Sequence, residues 1–244
     1  GRSSSGSAAA VADFMVPLAF GTQTGGSLVK PASFCGIYAM KPSWNLVSRE
    51  GVGLSSPTLD TVGWYGRSVQ DLALMAEAFR IPAFPRNIEV RGLRVGLCRT
   101  PWWSDIEPAG AAALEGAARR LSAQGALVSE LALPNQFNSV IKAFEAISRR
   151  ETGVSFLPEY LAAHHLLPQA LRNAVENTRN ISDEELVQSY TIADACRVLF
   201  DDLFGSVDVV LTPSAPGEAP VGLDTIPGSM ASFNRIWTLL HVPC

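Results

Sequence analysis

The chain is poor in the residues that build metal centres and disulfide frameworks. Its 244 residues include four cysteines and three histidines, and Cys35, Cys98, Cys196 and Cys244 show neither C-x-x-C nor zinc-ligand spacing. Cysteines scattered in this way read as buried free thiols, which suits a reducing cytoplasm. Neither G-x-x-x-x-G-K-[ST] nor G-x-G-x-x-G occurs, which weakens a phosphate-binding reading. G-x-S-x-G is missing too, and His164, His165 and His241 lie far downstream of the serine-rich start, leaving a Ser-His-Asp triad unsupported. Basic charge is scarce: 19 Lys and Arg against 23 Asp and Glu give a net charge of −4. With no basic run, that balance argues against a nucleic-acid face. No stretch reaches 18 uninterrupted apolar residues, and the first residues lack a charged-then-apolar signal pattern.

What the chain does carry is a dense Ser/Gly frame. Ser3-Ser4-Ser5-Gly6-Ser7 leads into an alanine-rich run, and Gly21-Thr22-Gln23-Thr24-Gly25-Gly26-Ser27 follows a short apolar stretch. Residues 7 to 14, free of Gly and Pro, predict about two turns of helix, roughly 12 Å long. Residues 16 to 20 predict a buried strand of about 16 Å. Packed antiparallel, their rises nearly cancel, so the Ser3 turn meets the Gly25-Gly26-Ser27 turn at one end. Gly25 and Gly26 admit positive φ and leave their N–H groups uncovered. A short helix opening at Ser27 sets those groups at the positive end of a helix dipole, where an oxyanion is favoured. Ser27 is thereby a candidate nucleophile; the alternative is a plain turn or a phosphate cradle.

The segments GRSSSGSAAAVA, GTQTGGS and PASFCG with the following MKPS closely resemble the signature of the amidase signature family. Residues 59–63 (LDTVG), 208–213 (DVVLTP) and 233–237 (FNRIW) resemble its later landmarks. The resemblance implies an α/β fold with a large, mixed, mostly parallel twisted sheet covered by helices. It implies amide hydrolysis through an acyl-enzyme, with Ser27 as nucleophile, Ser3 as bridging serine and Ser4 as a supporting hydroxyl. The oxyanion hole would be the backbone N–H groups of Thr24, Gly25, Gly26 and Ser27. In the family the peptide bond before the bridging serine, here Arg2 to Ser3, is cis. No metal or organic cofactor is implied. The family's third catalytic residue, a lysine well upstream of the bridging serine, is not among these residues, so the expectation is an inactive fragment with sequence missing at both ends. Apolar residues 239–244 support the same expectation at the far end.

Lys30, one helical turn past Ser27, faces either a substrate carboxylate or solvent, its stem then covering apolar neighbours. Some family members carry arginine at this offset and bind an anionic substrate with it. Lys41 reads as structural, and Lys142 as a solvated helix residue.

The expected organisation is a single domain over residues 1–244: a signature core to about residue 80, a middle region from about 90 to 205, and a closing strand and loop over 206–244. Residues 51 to 63 read as loop, followed by a helix over 69–79 that Ser68 caps. Pro82 to Arg86 break the chain. A strand over 93–97, an amphipathic helix over 109–124 and a strand over 127–133 favour parallel pairing. Residues 136–204 read as chiefly helical, with a capping box at Ser182 and an apolar stripe through Leu186, Tyr190, Ala193, Val198 and Leu199. Trp102, Trp103, Phe156 and Tyr160 line an acyl pocket or fill the core. A strand over 207–211 precedes a loop marked by Pro213, Pro216, Pro220 and Pro227, close to the active-site mouth.

The partner so implied is a small-molecule amide, with no nucleic acid and no membrane segment in these residues. A homodimer is compatible with these residues. Two further classes stand beside the amidase: the glutaminase-type subunit of a tRNA-dependent amidotransferase, and a non-catalytic binding or scaffolding member of the family. Retention of both Ser3 and Ser27 speaks against the last.

Overall fold

The computed structural model describes residues 4–81, 88–222 and 232–244. Arg2, Ser3, the Pro82 to Arg86 break and Pro227 lie outside the described residues. Helix α1 (Ser5–Ala12) runs back along strand β1 (Ala19–Gln23), as the alanine-rich run followed by a short apolar stretch predicts. The strand starts three residues later than expected. Phe14 takes a φ of 61° and Phe14, Met15 and Val16 face solvent, so the connection consumes the first apolar residues. Arg67 holds that connection, donating to the carbonyls of Val11 and Val16 with its guanidinium 4.6 Å from the Phe14 ring centre.

After α2 (Val29–Cys35) and β2 (Tyr38–Met40), strand β3 (Thr61–Gly66) forms the middle of an antiparallel sheet ordered β1-β3-β2. Its first residues fall inside the stretch expected to be loop. Gly63 there lies opposite Gly21, and the pairing is imposed by neighbours rather than by local propensity. Helix α3 (Val69–Ala78) opens on the predicted Ser68 cap, whose hydroxyl accepts from the Asp71 N–H while Asp71 accepts from the Ser68 N–H.

A second sheet, parallel and ordered β5-β4-β6, is built from β4 (Arg94–Leu97), β5 (Leu127–Glu130) and β6 (Val209–Leu211). Helix α4 (Pro108–Ala123) makes the crossover between β4 and β5, and Gly125, at φ +95°, ends it. The fold is thus mixed α/β, its described strands divided between one antiparallel and one parallel sheet.

Helices α5 (Val140–Ser155), α6 (Leu157–Ala163), α7 (Gln169–Val175) and α8 (Asp183–Phe204) fill the predicted helical region, and α9 (Ser232–Leu239) follows the loop after β6. The largest core lies among α5, α8 and α9, where Val140, Phe144, Ile147, Phe200, Ile236 and Leu239 are buried. The Ser182 hydroxyl caps α8 by accepting from the Glu185 N–H. Of the predicted stripe, Leu186, Tyr190, Ala193 and Leu199 pack inward, but Val198 is exposed. Cys196 and Phe200 take the buried face at that level, because the stripe drifts around a 22-residue helix. Cys98 and Cys196 are buried free thiols, Cys35 is half-buried, and Cys244, expected inside, is exposed at the edge where residues 242–244 run beside Lys41.

Candidate active site

Ser4 and Ser27 are drawn together by the α1–β1 hairpin. The Ser4 hydroxyl donates to the Thr22 carbonyl at 3.2 Å and accepts from the Thr22 N–H at 3.0 Å. Thr22 therefore turns its peptide groups away from β3, as alternate residues of an antiparallel strand must, and the start of α1 is fastened to the outer edge of β1 near its C-terminal end. The Tyr65 hydroxyl lies between the two turns, beside Ser4 and donating to the Ser27 carbonyl at 3.3 Å. Burial pushes the Tyr65 phenol well above its usual range. Ser3 and the Arg2–Ser3 bond lie outside the described residues.

Residues 24–27 form an irregular turn between β1 and α2, with Ser27 half-buried. Neither Gly25 nor Gly26 adopts the positive φ expected of it. Gly26 is glycine for space: a Cβ there would lie 3.0 Å from Asn234 Nδ2 and 3.1 Å from Asn234 Cβ. At Gly25 a Cβ would meet only ordinary contacts, 3.6 Å from Phe144 Cζ and 3.7 Å from Arg235 Cγ. The expected helix-dipole contribution is also reassigned. Helix α2 begins at Val29, and the N–H groups of Leu28 and Val29 both donate, at 3.1 Å, to the side-chain oxygen of Gln23. Among the described residues, the N–H groups of Gly25, Gly26 and Ser27 donate to no protein acceptor.

Three supports hold this turn. Leu28, fully buried, occupies the space left by the paired glycines Gly21 and Gly63: a Cβ would lie 2.6 Å from Leu28 at either position. Thr24 donates its hydroxyl to Asp60, whose other carboxylate oxygen accepts from the N–H groups of Ser55 (2.6 Å) and Ser56 (2.9 Å). From α9, Thr238 donates to the Gly25 carbonyl at 3.1 Å and accepts from the Gln23 amide at 3.0 Å. Asn234 packs on Gly26, and Arg235 pairs with Glu145 at 2.8 Å over the Phe144 ring.

Among the residues the sequence singled out, Lys30 sits in the first turn of α2, its N–H donating to the Gly26 carbonyl at 3.1 Å. Lys41 is buried, with its ammonium donating to the carbonyls of Pro42 (3.1 Å) and Val242 (2.5 Å). Burial lowers its pKa. Lys142 pairs with Glu185 on the surface at 3.4 Å. Trp102 packs on the main core, Trp103 on Leu97 and Leu114, and Tyr160 donates to Glu176 at 2.8 Å. The ring against the turn is instead Phe144. The supporting roles of Leu28, Phe144 and Thr238 carry no signal in local sequence. Gln23, Asp60, Gly63, Asn234 and Arg235 stand within the signature and landmark segments, which mark them without giving these supporting roles.

One cleft of about 360 Å³ opens on the Ser4 side, lined by Phe20, Thr22, Val47, Val62 and Phe79. Another, of about 430 Å³, lies between α4 and residues 212–218, with Ser33 of α2 on its rim. Among the described residues no helix is long and apolar enough to cross a membrane, and no group of three or more His, Cys, Asp or Glu is placed to hold a metal ion.

Comparison with known proteins agrees with this architecture. The chain is 34% identical over 230 residues to 2-amino-5-chloromuconic acid deaminase of Comamonas testosteroni, covering 90% of this chain and 49% of that protein. It is 29% identical over 261 residues to a glutamyl-tRNA(Gln) amidotransferase subunit from Picosynechococcus sp., covering 90% of this chain and 54% of that one. The chain thus spans about half the length of these curated relatives. A crystal structure of an amidase superposes with a TM-score of 0.86 at 24% identity, over 98% of this chain and 56% of its own, and shows the shared fold. The profile of the family described as Amidase matches residues 1–242. The chain therefore belongs to the amidase signature family, whose members act on carbon–nitrogen bonds.

Proposed function

We propose that this chain supplies the nucleophile and oxyanion hole of an enzyme that hydrolyses a carboxamide to a carboxylate and ammonia or an amine. The observation that carries the reading is the turn at residues 24–27, with Ser27 beside N–H groups that meet no acceptor among the described residues. Ser27 Oγ attacks the amide carbonyl, and its proton passes through Ser3 to a neutral lysine. The N–H groups of Thr24, Gly25, Gly26 and Ser27 hold the oxyanion, each well-placed donor contributing about 3 to 4 kcal/mol. The carbon–nitrogen bond breaks as Ser3 returns the proton to the leaving nitrogen. Water then cleaves the acyl ester, releasing the carboxylate and restoring the Ser27 hydroxyl.

The base is assigned to a lysine beyond residues 1–244, because the Lys41 and Lys142 amines are engaged elsewhere. Residues 1–244 alone are accordingly assigned no turnover. Lys30 is proposed to bind an anionic group of the substrate. The Comamonas relative is named for an amino acid bearing carboxyl groups, which supports that choice.

The second reading is the glutaminase component of an amidotransferase, favoured by the similarity to the Picosynechococcus protein. Ammonia release from glutamine, with no other carboxamide turned over, identifies it.

The test is labelling of the natural polypeptide carrying residues 1–244 with a fluorophosphonate, comparing native protein with Ser27→Ala and Ser3→Ala. The expected result is no labelling in Ser27→Ala and slowed labelling in Ser3→Ala. Equal labelling of all three, or none of the native protein, removes the hydrolase reading in favour of a binding member of the family.

A further inference from the structure

We propose that Thr238 is a positioning residue for the oxyanion hole, acting through the Gly25–Gly26 peptide group, with Gln23 setting the direction of its hydroxyl proton. This rests on the hydrolase reading of Ser27 and extends it to a residue more than two hundred positions away in sequence.

The Thr238 hydroxyl is fully buried and has two partners. Gln23, also buried, cannot rotate its amide without loss, because its oxygen is fixed by the N–H groups of Leu28 and Val29 at 3.1 Å each. Its NH₂ group must therefore point at Thr238 Oγ1, 3.0 Å away. An oxygen that accepts from Gln23 has its own proton left to donate, and the acceptor in reach is the Gly25 carbonyl at 3.1 Å. The orientation of every proton in the chain of bonds is thus determined by the capped start of α2.

The Gly25 carbonyl shares its peptide group with the Gly26 N–H. A hydrogen bond accepted by a peptide oxygen polarises the N–H at the other end of the same plane, and it also holds that plane against rotation. The Ser27 N–H is treated in the same way, since the Gly26 carbonyl of its peptide accepts from the Lys30 N–H at 3.1 Å. Two adjacent donors are thereby strengthened from behind, one by the backbone of α2 and one by a side chain from α9. The effect grows with the negative charge in front of the donors, so it is felt in the tetrahedral state more than in the bound ground state.

The experiment measures the maximal rate of phosphonylation, kinact, and the concentration for half-maximal rate, KI, with a fluorophosphonate. The natural polypeptide carrying this chain is used, since the tetrahedral phosphoryl oxygen occupies the same hole. Thr238→Val keeps the shape and removes the relay; kinact is expected to fall about tenfold with KI within twofold of native. Thr238→Ser restores kinact. Gln23→Glu keeps the acceptor for Leu28 and Val29 but draws the Thr238 proton toward the new carboxylate, so it lowers kinact similarly while Thr238 remains in place. A kinact for Thr238→Val within twofold of native overturns the proposal. So does a fall shared equally between kinact and KI, or a Thr238→Ser protein as slow as Thr238→Val. If Thr238→Val fails to fold, Gln23→Glu decides alone, and a native kinact there overturns the proposal. Labelling that persists in Ser27→Ala overturns the hydrolase reading instead, so the two failures are distinct.

Discussion

Leu28 directly follows the candidate nucleophile, and its side chain fills the room that two absent side chains leave. Gly21 and Gly63 face each other across β1 and β3, and a Cβ on Gly63 would lie 2.2 Å from the Met40 carbonyl oxygen as well as 2.6 Å from Leu28. A backbone oxygen cannot move aside as a side chain can, so Gly63→Ala must part the strands or expel Leu28. The expected cost is about 2 to 3 kcal/mol, with a Tm lowered by about 5 to 10 °C. Labelling of Ser27 should fall further than the loss of folded protein explains. Gly53, exposed with open space around it, is the control, and Gly53→Ala should shift Tm by less than about 2 °C. Equal melting of the two variants would show that the Leu28 socket does not hold the turn. No reading of residues 59–63 in isolation finds this constraint, because a glycine demanded by a distant side chain looks like a glycine demanded by a turn.

At the scale of elements, the connection from β2 to β3 is organised by α5. Glu151 accepts from the Ser56 hydroxyl (2.6 Å), the Thr58 N–H (3.0 Å), the Thr58 hydroxyl (2.6 Å) and the Tyr190 hydroxyl (2.5 Å). Burial, reinforced by the Glu151 bond, pushes the Tyr190 phenol far above its usual range. Asp60 closes the same connection on the side of Thr24. Glu151→Gln puts an NH₂ group where donors converge and is expected to cost about 1 to 3 kcal/mol. Its signature is local: faster amide exchange at Ser55 and Ser56, the N–H groups bonded to Asp60, with α4 unaffected. Unchanged protection at Ser55 and Ser56 would mean that Asp60 holds the loop without α5. The Gly/Ser/Pro-rich composition of residues 51–63 predicts a loop, and a loop is found as far as residue 60, where β3 takes over. That it is tied by two carboxylates, one of them some ninety positions on, is a product of packing.

Across the whole molecule, His241 joins segments from three parts of the chain. Its ring stacks on Trp44 with centres 4.6 Å apart, and Nε2 lies 2.8 Å from the Thr58 carbonyl oxygen and 3.0 Å from Arg197 of α8. Burial first, then the Arg197 cation, with Lys41 adding to it and Asp194 opposing, lowers the imidazole pKa to about 4. The unfolded chain takes up this proton near pH 6.5, whereas the folded one resists until about 4. Stability is therefore complete above about pH 6.5 and is lost as pH falls toward 4, by about 2 kcal/mol once partial exposure is discounted. Urea midpoints at pH 7 and pH 4.5 should differ by less in His241→Gln than in the native chain. An equal difference in both would assign the acid sensitivity to other groups.

Local composition and spacing by themselves determined the α1–β1 hairpin, the Ser68 and Ser182 caps and the crossover through α4, because each depends on residues close together in the chain, while the family was carried by the resemblance of the signature segments. They could not determine the strand inside residues 51–63, the φ angles of Gly25 and Gly26, or the exposure of Val198. Each of these is set by what packs against it. The candidate site divides in the same way. Ser27 and its turn are legible as a motif. The groups that orient that turn are Gln23 acting through Thr238, Asp60 acting on Thr24, Leu28 seated between two glycines, and Asn234 against Gly26. Only the tertiary structure decided these, since a hydrogen bond or a socket requires two partners in contact and the fold brings them from separate segments of the chain.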